Sequence, residues 1–151
     1  MKIICIGRNY ANHAKEMNAS VPEVPLFFMK PETALLPRRN PFYYPNFTKD
    51  LHFECELVVR ISKLGKNISE RFAHEYYNEI GLGIDFTARD LQGRDGQWTR
   101  AKSFDTFAPL GPVIETELEV DNLAIKLYQN GELKQSSTTR QMIFSVPEIV
   151  S

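Results

Sequence analysis

The chain has 151 residues, of which 42% are hydrophobic and 25% are charged, the balance of an ordinary globular domain. Its 18 basic and 19 acidic residues leave a net charge of −1, and the basic residues are dispersed, so we expect no nucleic acid and no membrane as a partner. No apolar run reaches the length of a transmembrane helix, and Cys5 and Cys55 match no metal spacing. These features predict a single domain over residues 1–151 in the reducing, cytoplasmic compartment.

The first fifty residues predict short elements separated by irregular stretches. Residues 2–6, which are apolar apart from Lys2, predict a buried strand, and residues 11–17 predict a short helix. Prolines bound the stretch 25–31, which predicts a strand or loop. The prolines that recur through 37–50 predict an ordered, irregular loop.

The rest of the chain predicts mainly strands. Residues 51–62 and 79–85 predict two of them, with a helix between them that Ser69 caps and that runs through Ala73 and Tyr77. Further elements are predicted as strands at 110–116 and 122–129, a type I′ hairpin turn at Asn130-Gly131, and a helix that begins at Ser145. The sequence therefore predicts a strand-rich α+β fold.

Acidic residues alternate along the strand predicted at 51–62. Because side chains of a strand alternate between faces, His52, Glu54 and Glu56 share one face. Two neighbouring carboxylates repel unless a positive charge lies between them, and a hard divalent cation is the simplest candidate. An amphipathic strand with a solvated acidic face has the same pattern, so this run alone leaves both interpretations open.

Two later segments also carry polar residues near apolar ones. Asp85 ends a glycine-bearing strand, where ligand-facing residues tend to lie, and Asp90 and Gln92 follow on one predicted helical turn. A strand that ends in an Asp-capped turn is the simpler alternative. Lys102 lies among small and aromatic residues, where it either supplies a fixed positive charge to an acidic site or is solvated.

The helix predicted at 11–17 carries a histidine and a glutamate three residues apart. At this spacing Glu16 can hold the imidazole of His13, which would make it a better general base near neutral pH. A surface pair without a catalytic role has the same spacing. The sequence leaves this choice open.

Several motifs, taken in order, resemble the fumarylacetoacetate hydrolase family over nearly the whole chain. They are Gly-Arg-Asn-Tyr at 7–10 with His-x-x-Glu at 13–16, Phe-x-Lys-Pro at 28–31, His-x-Glu-x-Glu-Leu at 52–57, Asp-x-Thr-Ala-Arg-Asp-x-Gln at 85–92, and Lys-x-Phe-Asp-Thr-Phe-x-Pro-Leu-Gly-Pro at 102–112. The branch that they resemble most is the acylpyruvate hydrolase and oxaloacetate decarboxylase group.

The resemblance implies a mixed β-sandwich roll of the type found in the family's C-terminal domain. Residues 1–50 would form a lid and loop segment, and residues 51–151 the sheet core. The family's later Gly-Asp-Ile-x-x-Thr-Gly-Thr-Pro motif does not occur in the chain. We therefore expect the last strands of the family domain to be absent from it.

The resemblance also implies roles for individual residues. It assigns a divalent metal, Mg²⁺ or Mn²⁺, to Glu54, Glu56 and Asp85, and it places Lys102 against the substrate. His13 and Glu16 would activate water, and the remaining pocket residues would be Arg8, Tyr10 and Gln92.

The function implied is metal-dependent cleavage of a C–C bond in a small 2-oxo acid by a homodimer. Acylpyruvate hydrolysis and oxaloacetate decarboxylation are the two candidate reactions. One alternative is an isomerase or decarboxylase that acts on an unsaturated 2-oxo diacid of aromatic catabolism. A second alternative, of another class, is an inactive, truncated family member that serves as a binding or assembly module.

Overall fold

A computed structural model describes residues 1–115 and 120–151. Within these ranges the strands are β1 (Ile3–Gly7), β2 (Leu26–Lys30), β3 (Leu35–Leu36), β4 (Leu51–Ile61), β5 (Tyr77–Ala88), β6 (Ala108–Pro109), β7 (Ile114–Glu115), β8 (Ala124–Gln129) and β9 (Glu132–Thr138). The α-helices there are α1 (Ala11–Glu16), α2 (Arg89–Gln92), α3 (Thr99–Lys102) and α4 (Val146–Val150). Short 3₁₀-helices lie at Glu32–Ala34, Glu70–Tyr76, Val120–Asn122 and Thr139–Gln141.

The strands form small sheets. Strand β1 pairs with β2, β3 runs parallel to β6, and β5 lies between β4 and β7. Strands β8 and β9 form an antiparallel hairpin. The strand-rich α+β class predicted from the sequence is confirmed. In the part of the chain that the structure describes, no helix is long and apolar enough to cross a membrane.

The chain divides into two compact units, each made of three segments. The first unit comprises Met1–Cys5, Phe27–Val58 and Leu82–Pro112, and the second comprises Ile6–Leu26, Val59–Gly81 and Val113–Ser151. Both β4 and β5 contribute residues to each unit. The sequence expectation of a single domain stays a prediction.

An aromatic core holds the first unit together. Phe107 is buried and packs with two small residues, Ala88, which directly precedes α2, and Ala101, which lies within α3. Phe42 stacks on Phe86 with ring centroids 3.9 Å apart, and both pack against this core. Because an alanine has no bulky side chain, α2 and α3 approach each other closely here. This packing fixes the end of β5, the strand that carries Asp85.

The hairpin of the second unit follows the sequence prediction. Asn130 and Gly131 have φ angles of 53° and 83°, and a type I′ turn requires positive φ at both central positions. The predicted last helix is also present as α4, and Ser145 caps it by accepting a hydrogen bond from the backbone N–H of Glu148 at 3.3 Å.

Two predicted elements differ from those in the structure. Glu70–Tyr76 is a 3₁₀-helix rather than part of an α-helix, and the side chain of Ser69 does not cap it. The carbonyl of Tyr76 instead accepts a hydrogen bond from the backbone N–H of Ser62 at 2.8 Å, and β5 begins at the next residue.

The strand predicted at 110–116 is present only as Ile114–Glu115, and Thr116 lies outside the described residues. Pro112 has no backbone N–H to donate to a ladder. The element α3, in turn, was not predicted from the sequence.

Asn9 anchors the loop between β1 and α1 in the second unit. Its amide nitrogen donates to the carbonyl of Phe144 at 3.0 Å, and its Oδ1 accepts from the N–H of Phe144 at 2.8 Å. The backbone carbonyl of Asn9 also accepts from the N–H of Ile143 at 2.9 Å. Asn9 thus satisfies both backbone groups of a buried residue distant in sequence.

We therefore predict that Asn9→Ala destabilises the protein, because it leaves the buried N–H and C=O of Phe144 without these partners. The expected loss in the free energy of unfolding is about 2 kcal/mol or more, measured by urea denaturation. The matched control is Asn46→Ala, at an exposed asparagine. Equal small losses in both variants would contradict the anchoring role.

Candidate metal centre

Three carboxylates of the first unit converge at the neighbouring strands β4 and β5. Glu54 and Glu56 alternate along β4 and share a face, and Asp85 lies near the end of β5. One oxygen from each of the three carboxylates lies within 4.8 Å of the others. Asp85 is buried and the two glutamates are half-buried. We call these three residues the acidic cluster.

His52 does not belong to the acidic cluster, although it shares a strand with Glu54 and Glu56. Its side chain is exposed, and its Nε2 lies 2.9 Å from Oδ1 of Asp50. The cluster is therefore a set of oxygen donors alone.

Lys102, the last residue of α3, reaches into the acidic cluster. Its Nζ lies 2.7 Å from Oε2 of Glu54, and it also contacts Oδ2 of Asp85. The same ammonium lies 5.0 Å from the centroid of the Phe28 ring. Only 4% of Lys102 is exposed, so the solvated alternative for this lysine does not apply.

The surroundings of Lys102 keep it protonated. Burial, the largest single effect, lowers its pKa, but the charges and hydrogen bonds of Asp85 and Glu54 together outweigh burial and leave the pKa raised above its usual value. The stabilisation that this pairing provides is therefore fully present at neutral pH. It is lost only as the pH rises through the raised pKa, in strongly alkaline solution.

Lys30 is a second buried lysine at the acidic cluster, and the sequence analysis gave it no role. Its Nζ lies 2.6 Å from Oδ1 of Asp85 and donates to the carbonyl of Phe107 at 2.8 Å. The contact with Asp85 is an ion pair by distance, although Oδ1 lacks the alignment of a directed hydrogen bond. Burial lowers the pKa of Lys30, and the charge of Asp85 offsets part of that effect. Its signal in the sequence was its place in the Phe-x-Lys-Pro motif at 28–31.

Arg89, at the start of α2, was also missed, and it links the acidic cluster to Gln92. Its Nη2 lies 2.6 Å from Oε1 of Glu54, and its Nη1 donates to Oε1 of Gln92 at 2.5 Å. The structure thus places Gln92 beside the cluster through the guanidinium. The neighbouring Asp90 has a separate partner, because it accepts a hydrogen bond from the hydroxyl of Thr48 at 2.5 Å.

The donors of the acidic cluster suit a hard divalent ion. Carboxylate oxygens are the ligands that Mg²⁺ and Mn²⁺ take in proteins, whereas zinc favours thiolate and imidazole. Burial, with a further contribution from the charge of Asp85, raises the pKa of the nearby Cys5 to about 12, so its thiol stays protonated. The cluster therefore fits Mg²⁺ or Mn²⁺ better than zinc.

The remaining predicted site residues lie in the second unit. Nδ1 of His13 lies 3.5 Å from Oε2 of Glu16, as the i, i+3 spacing predicts, and His13 is half-buried whereas Glu16 is exposed. Arg8 has a φ of 57°, and Tyr10 directly precedes α1. Of the nine predicted site residues, the structure thus puts Glu54, Glu56, Asp85, Gln92 and Lys102 in the first unit and Arg8, Tyr10, His13 and Glu16 in the second.

The sequence matches known proteins over nearly its whole length. A protein of Methanocaldococcus jannaschii is 48% identical over 149 residues, which are 99% of this chain and 63% of that protein. The bovine mitochondrial oxaloacetate tautomerase FAHD1 is 41% identical over 155 aligned positions, which cover 99% of this chain and 70% of the relative. The chain spans less than two thirds of the first of these relatives.

A solved structure shows the same fold. The crystal structure of 5-carboxymethyl-2-hydroxymuconate delta-isomerase from Mycobacterium smegmatis matches with a TM-score of 0.88 and 38% identity, over 99% of this chain and 59% of that one. The family described as fumarylacetoacetate (FAA) hydrolase C-terminal matches residues 2–151. The resemblance seen in the sequence motifs is confirmed, and the chain belongs to the fumarylacetoacetate hydrolase family.

Proposed function

We propose that the protein is a divalent-metal-dependent enzyme that cleaves a C–C bond of a 2-oxo acid, by acylpyruvate hydrolysis or oxaloacetate decarboxylation. The observation that carries the proposal is the convergence of carboxylate oxygens of Glu54, Glu56 and Asp85, of which Glu54 and Asp85 also contact the buried ammonium of Lys102. The name of the bovine relative supports the substrate class, because oxaloacetate is a 2-oxo acid. We further propose that the enzyme acts as a homodimer, as the resemblance implied.

In this proposal Glu54, Glu56 and Asp85 hold Mg²⁺ or Mn²⁺. When bound, such an ion supplies Lewis acidity toward the oxygens of a 2-oxo acid. The three carboxylates bring three negative charges, so a divalent ion leaves the cluster less negative and able to accept an anionic substrate.

Lys102 supplies a positive charge to the substrate. A divalent ion held by the acidic cluster would take over from Lys102 the compensation of the charges of Glu54 and Asp85, which would release its ammonium from these carboxylates. In this role the ammonium acts as an electrostatic stabiliser rather than as a base. Breaking the bond next to a keto group places negative charge on the keto oxygen, and this is the charge that Lys102 would stabilise. Arg89 holds Gln92 through its side-chain oxygen, which orients Gln92 for its proposed role in binding substrate. The family resemblance gives Arg8 and Tyr10 the same proposed role.

His13 and Glu16 would serve the hydrolytic reaction. The Glu16 carboxylate, 3.5 Å from Nδ1, would orient the imidazole so that it takes a proton from the attacking water. Decarboxylation needs no such water, because the leaving group departs as CO₂. The two reactions therefore differ in their demand for His13 and share their demand for Lys102.

A second candidate function is isomerisation or tautomerisation of a 2-oxo acid. The names of two similar proteins, an oxaloacetate tautomerase and a hydroxymuconate isomerase, favour it. Moving a proton beside a keto group also develops charge on the keto oxygen, so it requires Lys102 but no attacking water. A third possibility, a binding or assembly module, requires that none of these reactions occurs.

We predict that His13→Ala lowers acylpyruvate hydrolysis by roughly a hundredfold, the usual scale for a lost general base. Oxaloacetate decarboxylation should change little in the same variant, and Lys102→Ala should lower both reactions. The matched control for His13 is His74→Ala, at an exposed histidine of the same unit. Each rate is measured with Mg²⁺ or Mn²⁺ present and after chelation.

Two results would contradict the proposal in different ways. Equal losses of every reaction in His13→Ala would remove His13 as the base for water. Unchanged rates after chelation would remove the metal from the chemistry altogether.

The pairing of Lys102 also predicts a dependence of stability on pH. Lys102→Met leaves Glu54 and Asp85 without a shared cation, and breaking a buried ion pair in this way costs about 3 kcal/mol or more. The penalty reflects the loss of a protonated ammonium, so it should be fully present near pH 7 and shrink in strongly alkaline solution, where Lys102 of the wild type loses its proton as the pH rises through its raised pKa.

Urea denaturation of metal-free protein across this pH range measures the effect. Lys63→Met, at an exposed lysine, is the control. A loss that is the same at pH 7 and in strongly alkaline solution would mean that Lys102 contributes packing rather than charge.

A further inference from the structure

The two buried lysines contact different oxygens of the same carboxylate. Lys102 contacts Oδ2 of Asp85 and also contacts Oε2 of Glu54. Lys30 lies 2.6 Å from the other oxygen, Oδ1. The two oxygens of the Asp85 carboxylate therefore have different partners, Oδ2 the ammonium of Lys102 and Oδ1 that of Lys30.

Lys30 is anchored independently of the carboxylates. Its Nζ donates to the carbonyl of Phe107 at 2.8 Å and lies 3.4 Å from that of Phe86. Its side chain is only 2% exposed, and moving away would cost the carbonyl of Phe107 one of the two hydrogen bonds that it accepts, the other coming from the backbone N–H of Phe86 at 3.1 Å. The ion pairs of Lys102, in contrast, are both to carboxylates of the cluster. A metal ion that binds the cluster can neutralise the carboxylate charges that Lys102 now neutralises. It cannot replace Lys30 as donor to the two backbone carbonyls.

We infer that Lys30 is a positioning residue that makes the metal site selective for small divalent cations. By holding Oδ1, Lys30 lets Asp85 offer a cation only Oδ2. Ca²⁺ takes six to eight oxygen ligands and often binds a carboxylate through both oxygens, whereas Mg²⁺ requires six in a near-ideal octahedron and keeps several waters. An Asp85 restricted to one oxygen therefore disfavours Ca²⁺ more than Mg²⁺ or Mn²⁺. This inference rests on the metal site of the proposed function.

Isothermal titration calorimetry of the metal-free protein tests the inference without any assay of activity. MgCl₂, MnCl₂ and CaCl₂ are titrated separately into the wild type, Lys30→Met, Lys30→Arg and the exposed control Lys63→Met. In Lys30→Met the freed Oδ1 should shift the ratio of Ca²⁺ to Mg²⁺ affinity toward Ca²⁺ by about tenfold, the scale on which partners of metal ligands act. Lys30→Arg, which keeps the charge, and Lys63→Met should keep the wild-type ratio.

The ratio separates selectivity from a merely structural role. If Lys30→Met weakens all three ions equally, or changes none, the inference is overturned while the metal site stands. If the wild type binds none of the ions, the proposed metal site itself is wrong and the inference falls with it. Should circular dichroism show that Lys30→Met does not fold, Lys30→Gln keeps an amide donor for the Phe107 carbonyl but lacks the charge. An unchanged ratio in that variant would equally overturn the inference.

Discussion

Repulsion among three carboxylates is the constraint on which the first unit depends. At separations within 4.8 Å, two like charges repel by about 3 kcal/mol at the effective dielectric constant of 20 that suits protein sites. The structure compensates with the cations of Lys30, Arg89 and Lys102, each of which contacts Glu54 or Asp85. The burial of two lysines follows from this requirement, since a buried charge is tolerated only when it is paired.

The compensating cations depend on the fold around them. Lys30 ends β2, Arg89 begins α2 and Lys102 ends α3, so three separate elements must be fixed for the charges to meet. The aromatic core fixes them, and the backbone of one of its members, Phe107, directly holds Lys30. In our proposal a bound metal ion replaces Lys102 as the partner of these carboxylates, whereas Lys30 stays in place.

Local patterns in the sequence predicted local features of the fold and site. Strand alternation put Glu54 and Glu56 on one face, and the i, i+3 spacing paired His13 with Glu16. Only the family resemblance assigned Asp85 to the same metal site as Glu54 and Glu56. The role of Lys30 could not be predicted from the residues next to it in sequence, because the carbonyls that hold it, those of Phe86 and Phe107, are 56 and 77 residues away. The 3₁₀-helix at Glu70–Tyr76 was missed for a similar reason, since the carbonyl that ends it is bound by Ser62.

The central claim is that a divalent ion replaces Lys102 between Glu54 and Asp85, and anomalous diffraction from crystals grown with Mn²⁺ tests it most directly. The account predicts one manganese peak in contact with oxygens of Glu54, Glu56 and Asp85. In the same map Nζ of Lys102 should lie farther than its present 2.7 Å from Oε2 of Glu54, while Lys30 remains on Oδ1 of Asp85. Density that shows Lys102 still bridging the two carboxylates, with no manganese peak beside them, would contradict it.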